Sequence, residues 1–247
     1  MNTEILLHAE ELQVSDDSGG ASPCRLNLAV STGRMLALVG PAGAGKTTWL
    51  RTLAAVDPQA AGNLILLGED TVSLDDDAWR RLRCRAAFIA MGAPLLSVVD
   101  GLNNLMLPAL YHRTGSTEQV RTRANEILDF LGYVGDTHSL PAYLSQHQRL
   151  LLAIGRCLML APQMMFLDEP FYMTDDASRR SEAEIYRRLV QERNMTLLVA
   201  THNLGFVKRF ADQIVFVQER CMWTFDTWQA FAASASPEVR TFLDAAA

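Results

Sequence analysis

Short apolar runs separated by polar breaks fill the first ninety residues, and their length predicts strands. Candidates cover 5–7, then 26–30, where Leu26, Leu28 and Val30 alternate with Asn27 and Ala29, then 35–39, an unbroken apolar run of buried-strand type. After Gly45 the period changes. Trp49, Leu50, Leu53 and Val56 share one helical face, and this helix is expected to stop at Asp57-Pro58, because proline disfavours helical backbone in the residue before it. Residues 64–67 and 86–90 read as further short strands.

From 91 to about 161 the pattern is helical with polar breaks. Residues 116–131 place Val120, Ala124, Ile127, Leu128 and Leu131 on one face, and 145–160 form a second helix. Buried apolar runs then return at 164–167, 196–200 and 214–217, separated by helices over 178–193 and 204–210. Strand–helix alternation on both sides of a helical block predicts a parallel α/β sheet interrupted by a helical insertion. The expected parts are a core of 1–90 with 162–247, and a helical subdomain of 91–161.

Composition narrows the function more than the fold. The 247 residues are 49% hydrophobic and 20% charged, the balance of an ordinary globular domain. A chain of this length buries roughly 70 to 75% of its unfolded surface, so neither disulfides nor a structural metal are needed. Lys and Arg total 22 against 28 Asp and Glu, for a net charge of -6, which opposes nucleic-acid binding through phosphate neutralisation. Cys24, Cys84, Cys157 and Cys221 are widely spaced and are expected to be reduced, mostly buried thiols. No run approaches the ~18 apolar residues of a membrane span, and no basic leader precedes an apolar stretch, so a cytoplasmic protein is expected. A mean hydropathy of +0.05 is high for an acidic domain and fits either a large core or a buried partner face.

The candidate chemistry begins at Gly40-Pro41-Ala42-Gly43-Ala44-Gly45-Lys46-Thr47-Thr48, a phosphate-binding loop between a predicted strand and a predicted helix. Its glycines let several N–H groups face one anion, and the helix N-terminus adds a favourable dipole. Lys46 would reach the terminal phosphates and Thr47 would bind Mg²⁺. The strand at 164–167 delivers Asp168 and Glu169 to its C-terminal end, where ligands bind in open α/β sheets. Asp168 can hold Mg²⁺ through water, and Glu169 is placed to orient or deprotonate an attacking water. His202, at the end of the 196–200 strand, reads as a sensor of the γ-phosphate rather than a solvated cap, because the same edge already carries phosphate and metal ligands.

These features, in this order, resemble the ATP-binding-cassette ATPases, the nucleotide-binding subunits of ABC transporters, over nearly the whole chain. Leu144-Ser145-Gln146-His147-Gln148 stands where that family has Leu-Ser-Gly-Gly-Gln, and Ala153-Ile154-Gly155-Arg156 follows in register. The resemblance implies a P-loop NTPase core of RecA-like type, a mixed sheet with added antiparallel strands and an inserted α-helical subdomain. It implies ATP and Mg²⁺ as ligands, transmembrane transporter subunits as partners, and a second ATP-binding subunit, identical or not, meeting this one head to tail. In that arrangement Ser145 faces the partner's ATP, and the place of work is the cytoplasmic face of the plasma membrane.

Several positions depart from the family. Gln146 and His147 put side chains where the family has none, and each charge-assisted hydrogen bond lost there would cost ~1.5 to 3 kcal/mol. A degraded half-site is therefore the expectation, with a protonated His147 that attracts the γ-phosphate as the alternative. Met91 replaces the glutamine that ends the family's Q-loop, and methionine neither ligates Mg²⁺ nor orients water. The first-strand loop has no aromatic residue to stack on adenine, leaving Leu12 or Val14 to give an apolar contact. Asp175 fits the loop through which paired subunits sense each other. The resemblance thus implies a slow ATP hydrolase, with a nonhydrolytic structural or regulatory subunit as the alternative and a soluble ATPase outside transport as a more distant one. Asn104-Leu105-Met106-Leu107-Pro108 is similar to the branch that moves lipoproteins, lipids or hydrophobic compounds, and Asp168-Glu169-Pro170-Phe171 to phospholipid transporters that work with MCE proteins. Residues 91–104 would form much of the groove that receives a membrane subunit.

Overall fold

The computed structural model describes residues 4–15, 20–171, 176–218 and 221–245. Strands β1 (Ile5–Gln13), β2 (Leu26–Ser31) and β3 (Met35–Val39) lead to helix α1 (Lys46–Leu53). Strands β4 (Ala61–Leu66) and β5 (Glu69–Asp70), helix α2 (Asp76–Arg85) and strand β6 (Ala86–Ile89) follow. Three helices come next, α3 (Gly101–Tyr111), α4 (Thr117–Leu131) and α5 (Gln146–Leu158). The chain then returns to β7 (Met164–Asp168), α6 (Asp176–Arg193), β8 (Thr196–Ala200), α7 (Leu204–Phe210), β9 (Gln213–Gln218) and β10 (Cys221–Phe225). Helices α8 (Trp228–Ala232) and α9 (Pro237–Ala245) close it.

Six strands form the central sheet in the order β10-β9-β3-β8-β7-β6, all parallel except β10, which pairs antiparallel with β9. A second, antiparallel sheet of order β2-β1-β4-β5 stands beside it. The unbroken apolar run of β3 follows from this layering. Met35, Ala37 and Val39 point into one hydrophobic cluster, with α3 to α7, while Leu36 and Leu38 point into the other, with α1 and the antiparallel sheet.

Differences from the pattern-based expectations have local causes. Helix α2 has one buried apolar residue, Leu82, so it carries no apolar stripe; its signals are electrostatic, with Asp75 capping Ala78 N–H, Asp76 and Asp77 in the first turn and Arg83 and Arg85 in the last. Helix α1 stops at Leu53, and Val56, assigned to its buried face, is exposed beyond a left-handed Ala55. β10, α8 and α9 were not foreseen; their aromatic residues Trp223, Phe231 and Phe242 pack on Phe216 of β9.

β1 runs to Gln13 through a bulge at a left-handed Glu11, which shifts its alternation by one residue. Leu12 and Val14 therefore turn inward and are buried, which overturns their expected contact with a base. Among the described cysteines, Cys24 is buried, whereas Cys84 and Cys157 are half-buried, a correction to the expected general burial. Burial pushes the Cys157 thiol up to about 11. Asp175 and the Tyr172-Met173-Thr174 before it lie outside the described residues.

Candidate functional site

The C-terminal edge of the parallel sheet gathers most of the candidate residues. β3 ends at Val39, and the chain turns through Gly40 to Gly45 into α1. A Cβ at Gly40 would overlap the Val217 carbonyl oxygen of β9, so only glycine lets the loop leave the sheet at this point. Gly45 is the left-handed N-cap of α1, with no side-chain cap, so the first N–H groups of the helix remain available to an anion. Pro41, Ala42, Gly43 and Ala44 form the intervening turn, in which Ala44 N–H donates to Pro41 O at 3.3 Å.

Lys46 lies almost buried across this loop and donates to Gly40 O and Pro41 O, both at 3.0 Å. Burial lowers its ammonium below the ordinary lysine value, against the opposing pull of Glu169 and Asp168. The Thr47 hydroxyl donates to Asp168 Oδ1 at 3.1 Å, joining α1 to the end of β7. Burial raises the Asp168 carboxyl above the usual range, while the Thr47 hydrogen bond acts the other way. A buried carboxylate held above its usual range in this way gains from a cation placed against it. Thr48 follows in the first turn of α1.

Asp168 and Glu169 separate because Glu169 is left-handed, with φ 43°, and its N–H is held by Ala200 O at 2.9 Å. Asp168 turns to Thr47. Glu169 turns between Lys46, whose Nζ is 3.9 Å from Oε1, and His202, whose Nδ1 is 2.9 Å from Oε2. His202 is exposed at 68%, so its ring reaches out over the edge rather than into the core. Lys46, Thr47, Asp168, Glu169 and His202 thus form one connected cluster at the start of α1 and the ends of β7 and β8. Mg²⁺ takes a small number of hard oxygens from protein and the rest from phosphate and water, and the Thr47 hydroxyl with the Asp168 carboxylate fits that donor set.

Ser145 belongs to a different element. It caps α5 through a reciprocal box in which its Oγ accepts from Gln148 N–H at 3.1 Å and Gln148 Oε1 accepts from Ser145 N–H at 2.9 Å. The serine hydroxyl hydrogen and the N–H groups of Gln146 and His147 are outside that box. His147 turns toward α6, where its Nδ1 lies 2.9 Å from Oε1 of the fully buried Glu182. Nothing in the motif pattern pointed to Glu182; the available signal was a charged residue in the buried stripe of α6, in step with Ile185, Tyr186 and Leu189.

Met91 is exposed just past β6, on the same sheet edge. The loop after it is held by Asn104, fully buried, whose Nδ2 donates to Leu96 O, Val99 O and Asp100 O and whose Oδ1 accepts from Leu96 N–H at 2.8 Å. Leu96 and Val98 are exposed in this loop, and Tyr111 is exposed at the far end of α3. No helix among the described residues is long and apolar enough to cross a membrane.

Residues 24–172 match the family model described as ABC transporter. The lipoprotein-releasing system ATP-binding protein LolD 1 of Rhodopseudomonas palustris is 33% identical over 193 residues, spanning 78% of this chain and 85% of that protein. The methionine import ATP-binding protein MetN of Brucella abortus is 26% identical over 219 residues, spanning 88% of this chain but 59% of that longer protein. Among solved structures, the dimeric cassette MJ0796 bound to ADP and Pi superposes with a TM-score of 0.79 at 23% identity, over 89% of this chain and 98% of its own. CbiO1 of Clostridium perfringens, part of the cbiONQ complex, gives 0.83 at 19% identity, over 93% and 92%. These two likenesses establish the fold.

Proposed function

Because this chain belongs to the ABC transporter family as an ATP-binding subunit, we propose that it binds ATP with Mg²⁺ at the Lys46–Thr47–Asp168–Glu169–His202 cluster and hydrolyses it. The loop from Gly40 to Thr48 wraps the phosphates with backbone N–H groups, and Lys46 moves from its own loop carbonyls to the terminal phosphates. Thr47 and Asp168 hold the metal ion. Mg²⁺ supplies charge neutralisation on the phosphate oxygens when bound. Glu169 positions the attacking water and accepts its proton, and His202, held at Nδ1 by Glu169, presents its other ring nitrogen to the γ-phosphate. The observation that carries this reading is the convergence of those five side chains from three separate elements, α1, β7 and β8, on one sheet edge.

Residues 91–161 serve as the helical part that faces partners, with Ser145 offered to the ATP of a second ATP-binding subunit. The exposed apolar residues Met91, Leu96 and Val98 receive a transmembrane subunit, and the chain works at the cytoplasmic face of the membrane. A lipid or lipoprotein cargo is supported by the lipoprotein-releasing relative, while the methionine importer, which matches more of the chain at lower identity, keeps import of a small solute as the competing cargo. Lys46→Ala is expected to remove ATP binding measured by titration calorimetry on the full chain. Unchanged affinity would overturn the assignment.

A further inference from the structure

Two residues in this chain stand where their surroundings call for something else. Glu182 occupies a position of α6 whose neighbours at helical spacing, Ile185, Tyr186 and Leu189, all face the core, and its side chain is fully buried. A carboxylate at such a position is costly unless it has a specific partner. One partner is His147, the second residue of α5, which lies beside the α5 N-terminus that Ser145 caps. When the carboxylate is ionised it only accepts hydrogen bonds, and the imidazole Nδ1–H then donates to Oε1 across 2.9 Å.

From this pairing we infer that Glu182 is a positioning residue for the α5 N-terminus: it holds the His147 ring against α6, so that the Ser145 hydroxyl and the N–H groups of Gln146 and His147 stay open to the γ-phosphate of an ATP held by a second subunit. The inference rests on the proposed role of Ser145. It changes the meaning of the missing glycines. A glycine keeps that N-terminus open by having no side chain, and this chain keeps it open by tethering one. The hydrogen bonds to phosphate that the missing glycines threatened are then retained, because they come from backbone and from Ser145, not from the side chains at 146 and 147. The tether also spans the junction between the helical block and α6, so the same contact fixes how α5 sits against the helix that follows residues 172–175.

The test is a rescue experiment on the full chain carrying Glu169→Gln, so that bound ATP persists, with ATP binding followed by calorimetry and ATP-dependent pairing by sedimentation. Glu182→Leu returns an apolar residue to the stripe but removes one member of a buried pair, so its melting temperature is measured first to show that the chain folds. The substitution frees the His147 ring, and pairing in ATP should weaken ~10-fold or more, the equivalent of one charge-assisted hydrogen bond. Adding His147→Gly should bring pairing back to within ~3-fold of the parent, because the ring that obstructs the N-terminus is gone. Glu182→Gln keeps the shape and an acceptor oxygen and should fall between. Pairing unaffected by Glu182→Leu in a folded chain, or lost equally in the double variant, would overturn the inference. A parent chain that binds no ATP would overturn the nucleotide reading and this inference with it, whereas ATP binding that stays normal throughout confines any loss to the pairing step.

Discussion

Asn104 holds the stretch between Met91 and α3 by four hydrogen bonds from one buried amide. Replacing it with alanine leaves the Leu96 N–H and the Val99 carbonyl without their partner, while Leu96 O keeps the Val99 N–H and Asp100 O keeps the backbone N–H of residue 104, and ~1 to 3 kcal/mol of stability should be lost. The sharper expectation is local: hydrogen exchange at the Leu96 amide should accelerate far more than exchange in β7 or β8. Uniform acceleration would mean that Asn104 supports the fold as a whole and not this loop. At the same scale, the nucleotide cluster was legible in the chain because its members come in contiguous runs, 40–48 and 168–169, with His202 marked by the strand before it. Glu182 was not legible. It reads as one more charge in a charged helix, and only the fold brings His147, 35 positions away, against it. Leu12 and Val14 were misread for a related reason, since a single bulge at Glu11 reverses which face of β1 they occupy.

Helices with an apolar stripe, such as α4 and α5, follow directly from residue spacing, and so do the buried strands β3, β7 and β8. Elements whose stability comes from charge or from distant aromatic packing do not. α2 depends on its caps and dipole, and α8 with α9 on contacts to Phe216 that form only once the sheet exists. Helix α1 shows both kinds of support. Its buried face is apolar, while just beyond its end Arg51 donates to both Asp57 oxygens, at 2.6 and 2.7 Å. The Arg51 hydrogen bond, against an opposing effect of burial, holds the Asp57 carboxyl below the usual carboxylate value. A carboxyl depressed in the folded state stabilises the protein above the unfolded value of ~3.9 and ceases to do so as pH falls through the folded value. Both partners are 39% exposed, so the contribution at neutral pH is under ~1 kcal/mol. Asp57→Asn should therefore lower the melting temperature at pH 7 and leave it close to wild type at the acid end. An equal deficit at both pH values would assign the effect to packing.

For the whole molecule, the two sheets and the helical block put one phosphate loop, one pair of acidic residues and one exposed histidine on a single edge, and put the capped N-terminus of α5 elsewhere. That separation is what a chain needs if it holds its own ATP with one surface and offers Ser145 to another subunit's ATP. Against the net charge of -6, Lys46 brings a cation to this edge, and its ammonium is already engaged with loop carbonyls and Glu169. An incoming triphosphate must exchange those contacts for its own. Whether the edge then performs chemistry is decided by Glu169. The most direct measurement is release of phosphate from ATP by the full chain and its Glu169→Gln variant, with nucleotide occupancy measured on the same samples. The account predicts full occupancy in both and hydrolysis reduced by ~10²-fold or more in the variant. Equal rates at equal occupancy would contradict it.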